Sequence, residues 1–154
     1  MRPFGFSGNV TTGYQRHHLI PVNVIRLRVF ESLFDVVGPV GFDPRDFLSN
    51  GVLLPATDEM ALKTGMPLHR GPHRHYDLLV AEYLDDISKD ARCGKLASGI
   101  SAFRRLAELQ GTLRRALCHG ATPMLNRNDP RGTIAGLTKL DYDIMQMDSV
   151  QLLS

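Results

Sequence analysis

Tyr76, Leu79, Val80, Tyr83, Leu84 and Ile87 recur along the chain in steps of three and four, the period of a helix with one apolar stripe. Such a helix is marginal in water by itself and has to lay its stripe against a complementary surface. Pro72 stands where a helix start tolerates proline, which sets the predicted beginning of this element. A second helix is predicted from Ser98 to Cys118, with Ile100, Phe103, Leu106, Ala107, Leu113 and Leu117 inward and Gly120 just past its end. A third, buried helix is predicted from Val22 to Val37, closed by Gly38. One apolar set there is Ile25, Val29, Leu33 and Val36, and another is Leu27, Phe30, Phe34 and Val37.

The remaining segments read as strands and loops. Tyr14 to Ile20 is predicted extended, because Pro21 restricts the residue before it. The stretch GPVGFDPRDFLSNGVLLP has the Gly, Pro and Asp density of a loop, with an Asn50-Gly51 turn signal before the apolar run Val52, Leu53 and Leu54. Residues 56–71 read as a polar connector. Leu140, Tyr142 and Ile144 alternate with polar residues, predicting a late strand.

At 154 residues the chain suits one domain. Its expected parts are a motif core at about residues 14–88, a basic helical extension at 89–120 and a tail at 121–154. Hydrophobic content of 43% and charged content of 22% exclude a disordered or fibrous chain. No window approaches an apolar run long enough to span a bilayer, and no export signal is legible, so no membrane partner is expected. Cys93 and Cys118 have no CxxC spacing, which points to buried free thiols in preference to a disulfide or a zinc ribbon.

The formal net charge of +2 conceals a local excess. Residues 89–119 hold 7 Lys+Arg against 2 Asp+Glu, whereas residues 1–88 hold 8 against 10. Arg104 and Arg115, eleven residues apart, fall within about 20° of each other on a helix, with Arg105 and Arg114 flanking them. A solvated helix face accounts for such a pattern on its own, and a surface that contacts an anionic partner is the alternative.

Five of the six histidines fall into two groups, His17 and His18 in YQRHHLIP, then His69, His73 and His75 in LHRGPHRHY. Adjacent residues on a strand point to opposite faces, so His17 and His18 serve different environments unless the strand ends or twists at the pair. Neutral imidazole is a common ligand for divalent ions, and a free one titrating near pH 6.5 is suited to accept a proton from water. Gly71 and Pro72 separate His69 from His73. His69 is therefore expected in the entering loop and His73 in the first helical turn, where the positive helix end disfavours a protonated ring.

The ordered pieces HHLIP, NGVLLP and LHRGPHRHYDLLV resemble those of the AHH nucleases of the HNH/endonuclease VII superfamily, the ββα-metal or His-Me finger enzymes often found as bacterial polymorphic toxin modules. The resemblance runs from about Tyr14 to Ile87. It implies an α+β fold with a ββα-metal core and additional flanking helices. It implies His17 as a metal ligand, His18 as the base that activates water, and Asn50 as the residue that keeps the finger's loop in shape. His69 and His73 would complete the metal site, with the choice of direct ligand between them left open. Arg16 stands where the family usually has a small residue, and His75 has no counterpart in the motif; both are read as nucleic-acid contacts, together with Arg104, Arg105, Arg114 and Arg115.

The implied activity is hydrolysis of DNA phosphodiester bonds by an endonuclease of little sequence preference, using one divalent ion, Zn²⁺ or Mg²⁺/Mn²⁺. An RNA-cleaving toxin of the same fold and a non-catalytic, metal-containing nucleic-acid-binding module are the alternatives. The family also implies a cognate immunity protein and delivery as a toxin into a target-cell cytoplasm; without delivery the expected location is cytoplasmic.

Overall fold

In a computed structural model of the chain, the described residues are 13–70, 72–96, 98–119, 125–126 and 128–131. The late strand expected around Leu140 to Ile144 lies outside them. Strand β1 (Tyr14–His18) pairs antiparallel with β2 (Gly51–Pro55), with His18 opposite Gly51 and His17 opposite Val52. The two are joined by residues 19–50, not by a tight turn. Asn50-Gly51 is instead the junction between a short helix α3 (Phe47–Asn50) and β2, α3 being the third of the helices in that connection. Asp46 caps it by accepting a hydrogen bond from Leu48 N at 3.0 Å, a local geometry that competes with the predicted turn.

The continuous helix predicted over Val22–Val37 is broken. Helix α1 (Val22–Ile25) ends at Arg26, Leu27 is extended, Arg28–Phe30 forms a 3₁₀ turn, and α2 (Glu31–Val37) follows. Val22, Val24, Ile25 and Val29 are β-branched and hold a helix poorly, so an interruption is inexpensive here. It also resets the helical phase. Val24, Phe30, Leu33 and Val37 reach the core, while Leu27, Val29 and Val36 are exposed.

The connector at 56–71 contains a further helix, α4 (Asp58–Thr64), capped by Thr57 and closed by Gly65 with φ +70°. Its single buried residue, Ala61, explains why no apolar periodicity announced it. Helix α5 (Arg74–Arg92) begins two residues after Pro72 and continues past Ile87, the last residue of the apolar stripe. Tyr76, Val80, Leu84 and Ile87 are buried, whereas Tyr83, expected in the stripe, is half exposed. Helix α6 (Gly99–Cys118) matches its predicted span, with Ser98 as cap. Its inner face is Ala102, Leu106, Leu109, Leu113 and Leu117, a face turned so that Ile100 and Ala107 point to solvent.

Helix α6 packs on α2 and α5, and α5 also receives α1. Leu19 and Ile20, immediately after the histidine pair, are fully buried in the shared core with Leu84, Leu106 and Leu117. Cys93 and Cys118 are free thiols, but Cys93 is exposed and Cys118 partly so, because they end α5 and α6 at the rim of the packing. Among the described residues no helix is long and apolar enough to cross a membrane.

Candidate metal and catalytic site

The pleat of β1 sends His17 inward, to 2% exposure, and leaves His18 half buried on the opposite face at the strand's last position. The strand ends there because the next two residues bond elsewhere. Leu19 N donates to Asn50 O at 2.9 Å and Ile20 N to Asn50 Oδ1 at 2.9 Å. Asn50 Nδ2 returns hydrogen bonds to Ile20 O and Pro44 O, both at 3.0 Å, and Gln110 Nε2 donates to Oδ1 at 3.2 Å. The Asn50 side chain is fully buried and its amide capacity is filled, so it shapes the chain after the histidine pair without reaching the cleft. Tyr76 Oη of α5 adds a 2.7 Å hydrogen bond to Leu19 O.

His69 enters on the segment between α4 and α5, its backbone N donating to Pro55 O at 2.7 Å. His73 is the N-cap of α5; its ordinary first turn starts one residue later than expected. These three elements bring the rings together. The centroid of His17 is 4.9 Å from that of His69 and 4.7 Å from that of His73, and His69 and His73 are 5.2 Å apart. One ring nitrogen from each lies within 4.8 Å of the others.

Two further side chains orient this cluster. His73 Nδ1 is 3.0 Å from Asp77 Oδ1, and His69 Nδ1 is 3.2 Å from Gln15 Oε1. With Nδ1 as the donor in each pair, Nε2 is left unprotonated, the tautomer that binds a metal. Neither Asp77 nor Gln15 belongs to the sequence-derived set. Asp77 was legible as an acidic residue four after His73; Gln15 becomes meaningful only once the register of β1 is known. His17 Nε2 is buried and has no hydrogen-bond partner among the described residues. An orphaned buried nitrogen facing two other imidazoles fits a bound cation, which would replace the missing partner.

The electrostatics point the same way. Burial, followed by the neighbouring rings of His73, His69 and His18, lowers the pKa of His17 to about 2. Burial and His73 lower that of His69 to about 4. Both rings are therefore neutral at pH 7, the form in which an imidazole can bind a cation. The pKa of His18 is also lowered, by burial first and the Arg16 guanidinium second.

His18 shares a cleft of about 220 Å³ with His17, His69 and His73, and Arg16 and Asn23 also line it. Arg16 lies with its guanidinium carbon 3.9 Å from the Phe47 ring centroid, stacked at the cleft's edge. His75 is not part of the cluster. It faces a separate cavity of about 600 Å³ with Arg74, Leu27 and Asn23. Arg104, Arg105 and Arg115 are exposed on α6. Arg114 differs from the reading that groups it with them: its guanidinium donates to Gly51 O at 2.7 Å, Leu48 O at 3.0 Å and Ser49 O at 2.9 Å. Those carbonyls close α3, and a cation at a helix C-terminus satisfies them.

Two antiparallel strands and helix α5, with histidines drawn from β1, from the segment before α5 and from the α5 N-cap, make this an α+β fold of the ββα-metal kind. The chain belongs to the AHH family, a nuclease family of the HNH/ENDO VII superfamily with conserved AHH, whose model matches residues 7–110. It is accordingly a nuclease acting on nucleic acid. No curated protein and no solved structure matches it.

Proposed function

We propose that this nuclease is a metal-dependent endonuclease, folded as one domain, that hydrolyses DNA with little sequence preference. His17, His69 and His73 hold one divalent ion in this reading, and His18 is the general base. The observation that carries it is the convergence of three imidazoles, one with an orphaned buried Nε2, beside a fourth that opens on the same cleft. A bound divalent ion supplies charge stabilisation to the scissile phosphate and the leaving oxygen. His18 takes the proton of the attacking water at its free ring nitrogen, and its lowered pKa keeps that ring unprotonated at neutral pH. Asn50 fixes the backbone after His18 and so the direction of its ring.

Three nitrogen donors favour Zn²⁺ or another transition ion, since Mg²⁺ prefers oxygen ligands and retains its waters. Arg16 flanks the site as a phosphate contact, His75 offers one from the neighbouring cavity, and Arg104, Arg105 and Arg115 extend the surface along α6. The family resemblance supports a role as a delivered bacterial toxin module, with a cognate immunity protein and action in the cytoplasm of a target cell.

Supercoiled plasmid is the direct test. Wild type should nick it in Zn²⁺, Mn²⁺ or Mg²⁺, chelator should abolish nicking, and His18→Ala should lose at least about a hundredfold in rate while retaining the metal. Equal rates for wild type and His18→Ala would falsify the assigned base; digestion of RNA but not plasmid would move the substrate to RNA.

A further inference from the structure

The matched family span ends at residue 110, yet Asn126, Asp129 and Arg131 touch the segment that carries His69. Leu125 sits in the core at 6% exposure and anchors this short stretch. From there three contacts run antiparallel to the 65–70 segment. Asn126 Nδ2 donates to Arg70 O, Asp129 Oδ2 accepts from Leu68 N at 3.0 Å, and Arg131 Nη1 donates to Gly65 O at 3.1 Å.

The central contact is the unusual one. Asp129 is 4% exposed and its side chain is fully buried, a costly place for a carboxylate unless it is paired. Arg131 pairs it through Nε at 3.0 Å to both oxygens and Nη2 at 2.8 Å to Oδ2, while Arg131 N caps Oδ1 at 3.0 Å. Leu68 N donates to the same oxygen that receives Nη2. A buried, charge-assisted hydrogen bond of this kind is stronger and more directional than one between neutral groups. The next backbone nitrogen, that of His69, is held from the other side by Pro55 O of β2. Leu68 and Pro67 are buried between.

We infer that Asp129, locked by Arg131, is a positioning residue for His69, and that residues 125–126 and 128–131 strap the segment setting the third imidazole of the cluster. The inference rests on the proposed metal site but can be read without catalysis. The strap fixes the backbone at Leu68; Pro55 fixes it at His69; Gln15 fixes the ring. Removing the first of these leaves His69 on a segment tethered at one side, so the cost appears in ligand placement and not in the distant helices.

The test compares full-length wild type with Asp129→Ala, Asp129→Asn, Arg131→Ala and Asn126→Ala in the metal-free state. Zn²⁺ affinity is measured by calorimetry, and amide exchange across residues 65–70 by mass spectrometry. Asp129→Ala and Arg131→Ala should each weaken Zn²⁺ binding roughly tenfold, in the range for lost outer support of a ligand. Exchange over 65–70 should accelerate while α5 and α6 exchange as in wild type, and Asp129→Asn, which keeps an acceptor for Leu68 N, should recover part of the loss. Unchanged Zn²⁺ affinity and exchange in Arg131→Ala would overturn the strap, as would acceleration spread evenly over α5 and α6. If Asp129→Ala does not fold, Arg131→Ala and Asn126→Ala decide. If wild type takes up no metal, the proposed metal site fails, and exchange over 65–70 alone decides whether the strap holds His69.

Discussion

His73 Nδ1 and Asp77 Oδ1 lie 3.0 Å apart across one turn of α5, so a single helix carries both a ring of the cluster and the carboxylate that aims it. Ring orientation is then a property of helix geometry and survives small movements of the neighbouring strands.

Asp77→Ala should therefore weaken Zn²⁺ binding by roughly ten- to a hundredfold, the usual cost of losing a histidine's outer partner. Asp77→Asn, which keeps a hydrogen-bond acceptor, should lose less. Calorimetric titration of both variants, with circular dichroism to verify the helix, measures this. An affinity equal to wild type in Asp77→Ala would show that the ring is aimed by packing alone.

Acid should loosen the metal-free protein in a defined window. The pKa values of His17 and His69 are lowered from 6.5 to about 2 and about 4, so between those values and 6.5 the unfolded chain binds protons that the folded chain does not. Stability is then greatest above pH 6.5 and falls as the pH drops through the window, until each ring also protonates in the folded state. At pH 5 the loss from His17 is about 2 kcal/mol relative to pH 7.5, with a smaller addition from the less buried His69. Urea midpoints at the two pH values report it, and His17→Phe should flatten the dependence. A flat profile in the wild type would contradict the burial assigned to these rings.

How much of this was visible in the residues alone follows from what each signal measures. The periodicity of Tyr76 to Ile87 and of Ser98 to Cys118 reports one-sided burial, and both helices stand near their predicted places. The ordered histidines were legible as two groups, and the structure brings His17, His69 and His73 together. Helix α4 escaped because a surface helix with one buried residue has no stripe to read. The break at Leu27 escaped because apolar residues occur on every face of 22–37, so periodicity could not fix the phase. Gln15 and Arg114 acquire their roles only through pairings with residues far along the chain, 54 positions away for Gln15–His69 and 63 for Arg114–Gly51.

Gly51 is required by Phe47. A Cβ at position 51 would stand 2.0 to 2.5 Å from three carbons of that ring, while Arg16 covers the ring from its other contact at 3.9 Å. Gly51→Ala should destabilise by about 1–3 kcal/mol, the range for overpacking. Phe47→Ala in the same chain should cancel most of that increment, giving a coupling that a double-mutant cycle in urea resolves. Additive costs would mean that the ring rotates aside freely.

Arg114 and the other α6 arginines should separate in two measurements. Arg114 is occupied by the carbonyls of Leu48, Ser49 and Gly51, so Arg114→Ala leaves the end of α3 without its donors and should cost about 1.5–3 kcal/mol of stability. It should leave the salt dependence of DNA binding unchanged, because its charge is already engaged. Arg104→Ala, Arg105→Ala and Arg115→Ala remove exposed side chains, for which stability changes stay within about 0.5 kcal/mol. Each that contacts a phosphate should reduce the slope of log affinity against log salt by about 1. Urea denaturation and fluorescence-anisotropy titrations with a short duplex at several salt concentrations give both numbers. A lowered slope with unchanged stability in Arg114→Ala would return that residue to the nucleic-acid surface and detach it from α3.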